Sequence, residues 1–321
     1  MNTTATEQTA KAGEKSTPSF LPQAYLQGSF LPFEQAQISI ATHALHYGTA
    51  VLGGIRSLPS PSISNQILLF RLDAHCQRLS NSAKFLGYSI TSDFLKSTLL
   101  EFVYLNQPNY PFYLRPLIYT SGLGIAPRLH EIEKDFLIYG LSVGSNLFAP
   151  EVRCRISSWC RQEDRSQPLR GKLSASYIAS ALAKTEAVNS GFDEAIMMNS
   201  QGKISEASGM NLFLVRNGEL ITPSFDQDIL EGITRDSIIT IASDLGISVR
   251  ERPIDKSELF IADEAFLCGT AAQISSILSI ENYSFPEQRP MTEMLRDRLK
   301  AVMEDREPEY SHWVTKVQLP D

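Results

Sequence analysis

Residues able to do covalent chemistry on a small molecule are spread along this chain in recognisable settings. Lys172 follows Leu169-Arg170-Gly171 and precedes an alanine-rich stretch, so it sits where a loop meets a helix. A primary amine there can form an imine or take a proton, although the default for a lysine is a solvated surface. Glu206 ends a strand-like run, Ile204-Ser205-Glu206-Ala207-Ser208-Gly209-Met210-Asn211, among small and apolar neighbours. A carboxylate buried there is costly unless it faces a cation or a protonated ring nitrogen. Glu231-Gly232-Ile233-Thr234-Arg235 reads as a helix start. Unpaired N–H groups and the helix dipole favour an anion at such an end, and Gly232 lets backbone approach a ligand closely. Gly269-Thr270-Ala271-Ala272 could close that cup, and Arg78 could bring a forked guanidinium. An imine-forming lysine, a carboxylate and a phosphate cup are the parts a pyridoxal-phosphate site requires. Spacing alone does not make them converge.

Other chemistries find less support. His43 and His46 sit three apart but have no third ligand at a supportive spacing, and His75-Cys76 is no better, so no metal site is expected. Ser208-Gly209 and Ser121-Gly122 lack the GxSxG context of a hydrolase. Gly53-Gly54 fails the GxGxxG spacing of a dinucleotide fold. The 29 Lys and Arg against 36 Asp and Glu give a net charge of −7, which argues against nucleic acid as a partner. No apolar run approaches the roughly 18 residues needed to span a membrane. Cys76, Cys154, Cys160 and Cys268 form no CxxC pair and read as reduced thiols. A soluble, cytoplasmic protein is the expectation.

These groups need elements to place them. Ala24-Tyr25-Leu26 and Ser29-Phe30-Leu31 flank a Gln27-Gly28 turn, and Ile67 to Phe70 reads as a buried strand followed by a helix within Arg71 to Gly87. Phe112 to Thr120 and Asp135 to Leu141 are further strands. A helix is expected over Ser176 to Val188, capped by Ser174 or Ser176 and ended by Gly191. Glu194 to Asn199 and Lys203 to Ser205 should form a returning pair around a turn. Asn211 to Arg216 and Glu219 to Thr222 flank Asn217-Gly218, the strongest short hairpin signal. Thr234 should cap a helix through Leu245, with Ile238, Ala242 and Leu245 on one face and Gly246 as its stop. The pattern is α+β in two domains rather than a regular βαβ alternation. The expected division is a disordered tail over 1–19, a smaller domain over 20–141, a linker over 142–152 and a larger domain over 153–321.

The run Glu206 to Phe213, then Ile221-Thr222-Pro223 and Ile229 to Arg235, resembles the class IV aminotransferase signature. Thr42 to Arg56, Tyr113-Leu114-Arg115-Pro116, Arg170 to Tyr177 and Gly269 to Ala272 are similar to the branched-chain amino-acid aminotransferases of that class. The resemblance runs from about Phe20 to Val314, and several separate motifs agree in order. It implies a fold-type IV pyridoxal-phosphate enzyme, D-amino-acid-aminotransferase-like, with the cofactor pyridoxal 5'-phosphate between the two domains. Lys172 would be the Schiff-base lysine, Glu206 the partner of the pyridine nitrogen and Tyr177 the contact to the ring hydroxyl. Arg78, Ile233, Thr234 and Thr270 would bind the phosphate. Tyr113 and Arg115 would let one pocket take both a branched apolar side chain and the carboxylate of glutamate. Thr270 and Ala271, with Gly54 and Leu52 nearby, would hold the substrate, and Tyr47 would reach the neighbouring subunit's pocket in a homodimer or larger homo-oligomer.

The activity so implied moves the amino group of L-leucine, L-isoleucine or L-valine to 2-oxoglutarate, giving branched 2-oxo acids and L-glutamate. Its reverse is the last step of branched-chain amino-acid biosynthesis. The alternative within the class is a D-amino-acid aminotransferase or an aminodeoxychorismate lyase. This chain departs from the family at Leu52-Gly53-Gly54, where Phe-Glu-Gly is frequent, and near Asn146, where a Tyr is sometimes found. Glu231 stands where Pro is common, and Cys268 lacks the CxxC partner of some animal relatives.

Overall fold

In the computed structural model, residues 19–143 and 149–320 are described. The expected tail therefore falls, but for its last residue, outside the described residues, and Asn146 lies outside them too. The α+β class expected from the sequence is the one observed, built on two sheets.

The first sheet has eight strands. Across it lie Val314–Gln318, Gln66–Phe70, Ile55–Pro59, Phe112–Thr120, Lys134–Ser142, Gln23–Leu26 and Ser29–Pro32, with Ala50–Leu52 also paired to Phe112–Thr120. All its pairings are antiparallel. Two helices pack on it. Leu72–Lys84 buries Leu72, His75, Cys76, Leu79 and Ala83, the i, i+3, i+4, i+7 stripe of an amphipathic helix. Ser92–Asn106 buries Leu95, Leu99, Phe102 and Val103 and begins at Thr91, whose hydroxyl accepts from the Phe94 N–H at 3.2 Å. The last strand, Val314–Gln318, comes from the far end of the chain, so the first sheet is not made only from residues 20–141.

The second sheet has nine strands and is mixed. Glu151–Ile156, whose start lies inside the stretch expected as linker, runs parallel to both Gln273–Ile280 and Glu194–Met198. Glu219–Thr222 runs parallel to Val249–Glu251. Parallel neighbours cannot be joined by a tight hairpin and need a long crossover. One crossover, between Glu151–Ile156 and Glu194–Met198, carries Lys172 and the helix Tyr177–Asn189. The other, between Glu219–Thr222 and Val249–Glu251, carries the helix Ile233–Asp244. These two crossovers thus carry Lys172 and the helix start at Gly232. A shared core binds the sheets: Leu68 and Phe70 of the first pack with Phe213, Phe266, Leu295 and Leu299 of the second half.

Local expectations hold where the signal is local. The turns at Gln27-Gly28 and Asn217-Gly218 both have two positive φ angles, 51° and 82°, and 52° and 76°. Four details differ. Ser176 makes no side-chain cap bond; a single 3-10 turn, Ser174–Ser176, leads into the helix instead. Gly232, not Thr234, occupies the cap position of the later helix, in an extended conformation with no side-chain cap bond. Ile238 and Ala242 are buried, but Leu245 is 43% exposed because the helix has already ended at Asp244. The returning strand is Ile204–Ala207, shifted past Lys203–Ser205, which carries Glu206 into the sheet.

Candidate active site

One cavity of about 510 Å³ opens between the sheets, bordered from one side by Leu52, Gly54, Arg78, Tyr113 and Arg115. From the other side it is bordered by Lys172, Tyr177, Glu206, Ile233, Thr234, Thr270 and Ala271. Every site residue singled out in the sequence borders it except Tyr47. That ring packs on His43 at 4.6 Å on the helix His43–Tyr47.

Lys172 is fixed by both halves of the molecule. Its N–H donates to Ser82 Oγ at 3.2 Å, and its carbonyl accepts from the Leu52 N–H at 2.9 Å. The Ser82 hydroxyl in turn donates to the Arg78 carbonyl at 2.8 Å, tying the lysine to the helix that carries Arg78. Nζ of Lys172 donates to the Tyr177 hydroxyl oxygen at 2.6 Å. Burial, reinforced by the Arg78 charge, lowers its amine from an ordinary 10.5 to about 8. The solvated default for a lysine does not describe it.

Glu206 is buried and its charge is fully engaged. Oε1 pairs with Arg161 Nη2 at 2.8 Å, while Oε2 accepts from Asn211 Nδ2 at 2.8 Å and from the Leu230 N–H at 3.2 Å. Burial pushes this carboxyl up, and Arg161 and the Leu230 N–H pull it back. Arg161 is itself buried, and also donates to the Asp228 carbonyl and Ser180 Oγ. Asn211 donates to the Leu230 carbonyl as well, at 3.0 Å. Sequence reading missed this support, because Arg161 lies in an aperiodic stretch far from Glu206 along the chain.

The candidate anion cup is likewise assembled from distant parts. The helix hydrogen bonds of Ile233–Asp244 begin with the Asp236 N–H donating to the Gly232 carbonyl, so the N–H groups of Ile233 and Thr234 precede the ladder. A Cβ at Gly232 would lie 1.9 Å from Asn211 Oδ1, so only glycine lets this turn pass the residue that holds Glu206. Arg78 Nη1 donates to the Glu231 carbonyl at 3.0 Å, and burial lowers its guanidinium below the ordinary value. The Glu231 carboxylate is paired with Arg170. On the facing turn Arg56, buried and missed in the sequence, donates to the Ala271 carbonyl at 2.7 Å.

The substrate side is tight. A Cβ at Gly54 would lie 1.7 Å from the Tyr113 hydroxyl, so glycine is what permits the phenol to stand there. The Arg115 guanidinium lies over the Tyr113 ring at 5.3 Å, and its Nε is buried with no hydrogen-bond partner among the described residues. Ser176 Oγ, also bordering the cavity, is buried and unpartnered too. A lysine amine, a buried carboxylate opposite in charge to a helix-end cup and orphaned donors fit an anionic, nitrogen-ring cofactor and a carboxylate-bearing substrate.

His43 meets no metal need: its ring bonds Thr49, Thr120 and the Ala126 carbonyl. Among the described residues no group of three or more His, Cys, Asp and Glu side chains could hold a metal ion. No helix there is long and apolar enough to cross a membrane.

Comparison with known proteins agrees with this geometry. Residues 62–280 match the amino-transferase class IV family. The chain is 64% identical over 300 residues to a probable branched-chain-amino-acid aminotransferase of Synechocystis sp., covering 94% of this chain and 98% of that protein. It is 33% identical over 303 residues to the branched-chain-amino-acid aminotransferase of Escherichia coli (strain K12), covering 91% and 96%. The crystal structure of a branched-chain aminotransferase from Thermoproteus uzoniensis with norvaline superposes with a TM-score of 0.88 at 34% identity, covering 94% of this chain and all 100% of that one. The structure of the Thermobaculum terrenum enzyme in its PLP form gives 0.87 at 33%, covering 93% and 99%. These findings do not favour the alternative of a D-amino-acid aminotransferase or aminodeoxychorismate lyase. The chain belongs to the class IV aminotransferases, and within that family it stands with the branched-chain-amino-acid aminotransferases.

Proposed function

We propose that this protein is a pyridoxal 5'-phosphate-dependent transaminase that exchanges the amino group of L-leucine, L-isoleucine or L-valine with 2-oxoglutarate. The observation that carries the reading is the meeting, in one cavity, of a lysine amine lowered to about 8 with a buried carboxylate, a helix-end cup and the Tyr113–Arg115 pair. When bound, pyridoxal 5'-phosphate supplies an electron-withdrawing ring that accepts the electron pair released at the substrate's α-carbon.

The chain's own groups divide the remaining work. Arg78, the N–H groups of Ile233 and Thr234, and Thr270 hold the phosphate, with the helix dipole adding to the attraction. Glu206, charged and held in place by Arg161 and Asn211, keeps a proton on the ring nitrogen. Tyr177 orients the lysine through the 2.6 Å contact and faces the ring hydroxyl. Nζ of Lys172 takes the α-proton of the amino acid and later returns one, which requires an amine whose pKa lies close to working pH. Thr270 and Ala271, beside Gly54, hold the α-carboxylate. Arg115 receives the side-chain carboxylate of 2-oxoglutarate or glutamate through its unpartnered donor. A leucine side chain meets Leu52 and the Tyr113 ring instead. Apolar walls separate Leu, Ile and Val poorly, since one methylene is worth about 1–3 kcal/mol, so all three should be accepted.

The unit of function in this reading is a homodimer in the cytoplasm. Ile40, Leu45, Leu123 and Ile125 are exposed by 64% or more, and the Thr42–Leu123 bridge joins their two segments. The division into domains over 20–141 and 153–321 is proposed with the final strand joined to the first. The absorbance of the purified holoenzyme tests the main claim. L-leucine alone should convert the spectrum to that of the aminated cofactor, and 2-oxoglutarate should restore it. A spectrum that ignores L-leucine and answers a D-amino acid would move the reading to the D-amino-acid enzymes. In parallel, Lys172→Ala should fold but lose turnover.

A further inference from the structure

The sheet face carrying Tyr113 and Arg115 continues into residues that have no part in the account above. Side chains alternate along a strand, so Tyr113 and Arg115 share one face. The register pairs Tyr113 with Leu141 and Arg115 with Tyr139. Directly opposed residues present their side chains to the same face. Phe20 is bridged to Leu141 from its other flank, which sets Phe20, Leu141 and Tyr113 in one row. Phe20, Tyr139 and Leu141 all border the cavity.

These rings are held rather than loose. Phe20 stacks on Phe33 with centroids 4.3 Å apart and planes 12° apart, and meets Tyr139 edge-on at 6.0 Å. Phe33 braces Tyr139 from 6.4 Å. At residues 52–54 the chain offers one leucine and two glycines, so no ring reaches the cavity from there. Aromatic surface is therefore supplied to the cavity from Phe20 and Tyr139, beside Arg115.

We propose that Phe20, Tyr139 and Leu141 form the wall against which the substrate's side chain packs, and that this wall sets the largest apolar side chain the site accepts. Branched aliphatic side chains fit against it, and bulky aromatic ones are excluded. This rests on the transaminase reading above and adds to it the residues that determine specificity.

The test compares the holoenzymes of wild type, Phe20→Ala, Tyr139→Ala and Tyr139→Phe. Each is assayed for kcat/KM with L-valine, L-leucine and L-phenylalanine against 2-oxoglutarate. A ratio of two substrates measured on one preparation cancels any difference in active fraction. The ratio for L-phenylalanine over L-valine should rise about tenfold or more in Phe20→Ala and in Tyr139→Ala, the scale expected when pocket volume is opened. The change should appear mainly in KM, and Tyr139→Phe should keep the wild-type ratio. Phe20 is 40% exposed, so its truncation spares the core and decides the matter if Tyr139→Ala does not fold. An unchanged ratio in Phe20→Ala, in an enzyme whose wild type transfers from L-leucine, overturns the wall and leaves the transaminase reading standing. A wild type that takes no amino group from L-leucine overturns both.

Discussion

In the transaminase reading Glu206 works only as an anion, and its surroundings decide whether it is one. Burial raises this carboxyl above its ordinary value, and the Arg161 guanidinium at 2.8 Å counters part of that rise. Removing one member of such a pair strands the other, at a cost of about 3–5 kcal/mol. Arg161→Met should therefore lower the melting temperature and reduce turnover together. The double variant Arg161→Met/Glu206→Gln should recover much of the stability while remaining inactive, because no anion is left to face the ring nitrogen. Thermal melts and steady-state rates on the three proteins separate these outcomes; a double variant as unstable as Arg161→Met would contradict the account. Lys172 makes the opposite case. Folding lowers its amine from 10.5 to about 8, so between those values the unfolded chain binds more protons than the folded one. Stability of the cofactor-free protein then rises with pH across that window. Below pH 8 the buried ammonium is a standing cost, so Lys172→Met should be more stable than wild type by about 3 kcal/mol at pH 7. Denaturant unfolding at several pH values should show that advantage shrinking towards pH 10.5.

At the scale of elements, the two crossovers of the mixed sheet are what bring function-bearing residues to the cavity. The helix start at Gly232 is the sharper case. A side-chain cap satisfies a helix's first N–H groups internally, which competes with using them for a ligand. Thr234 fits the statistics of a cap, yet the observed cap position is Gly232 with no side-chain bond. That leaves the first N–H groups facing the cavity. The expectation failed because Gly232, itself a tolerated cap residue, takes that position in an extended conformation, which leaves Thr234 inside the first turn. Where local chemistry alone decides, as at Asn217-Gly218, the sequence was legible to the residue. Of the candidate site, Lys172 and Glu206 were legible because their motifs are contiguous, and both border the cavity. Arg161, Ser82 and Arg56 were not, since each meets a backbone or carboxylate group far along the chain that no local pattern specifies. Gly232→Ala tests the element directly. Its Cβ would fall 1.9 Å from Asn211 Oδ1, so the turn and the Glu206 support must shift together. Affinity for pyridoxal 5'-phosphate should drop by about ten- to a hundredfold, the scale of one to three kcal/mol for a displaced buried partner. Equilibrium titration of cofactor into the apoprotein reads this; unchanged affinity would mean that the helix start does not hold the phosphate.

For the whole molecule, the distribution of apolar surface raises a question that the cavity alone does not answer. Ile125 is 90% exposed, Ile40 87%, Leu123 66% and Leu45 64%. They belong to two segments that the structure ties together, since the His43 N–H donates to the Gly122 carbonyl and His43 Nε2 bonds the Ala126 carbonyl. Exposed apolar side chains on two segments tied together by hydrogen bonds are a feature of protein interfaces. It also adjoins the helix His43–Tyr47, the one singled-out site element that does not border this chain's own cavity. A second copy of the chain, packed on this patch, would account for both facts at once. Leu123→Asp or Ile125→Asp places a charge where such an interface would bury it, at a cost that a symmetric dimer incurs twice. Either variant should shift the protein towards monomer in light scattering at micromolar concentration and lose most of its turnover, while its far-ultraviolet spectrum stays that of wild type. A monomeric variant with full activity would show that each cavity is complete by itself. A variant that remains dimeric would place the interface elsewhere on the surface.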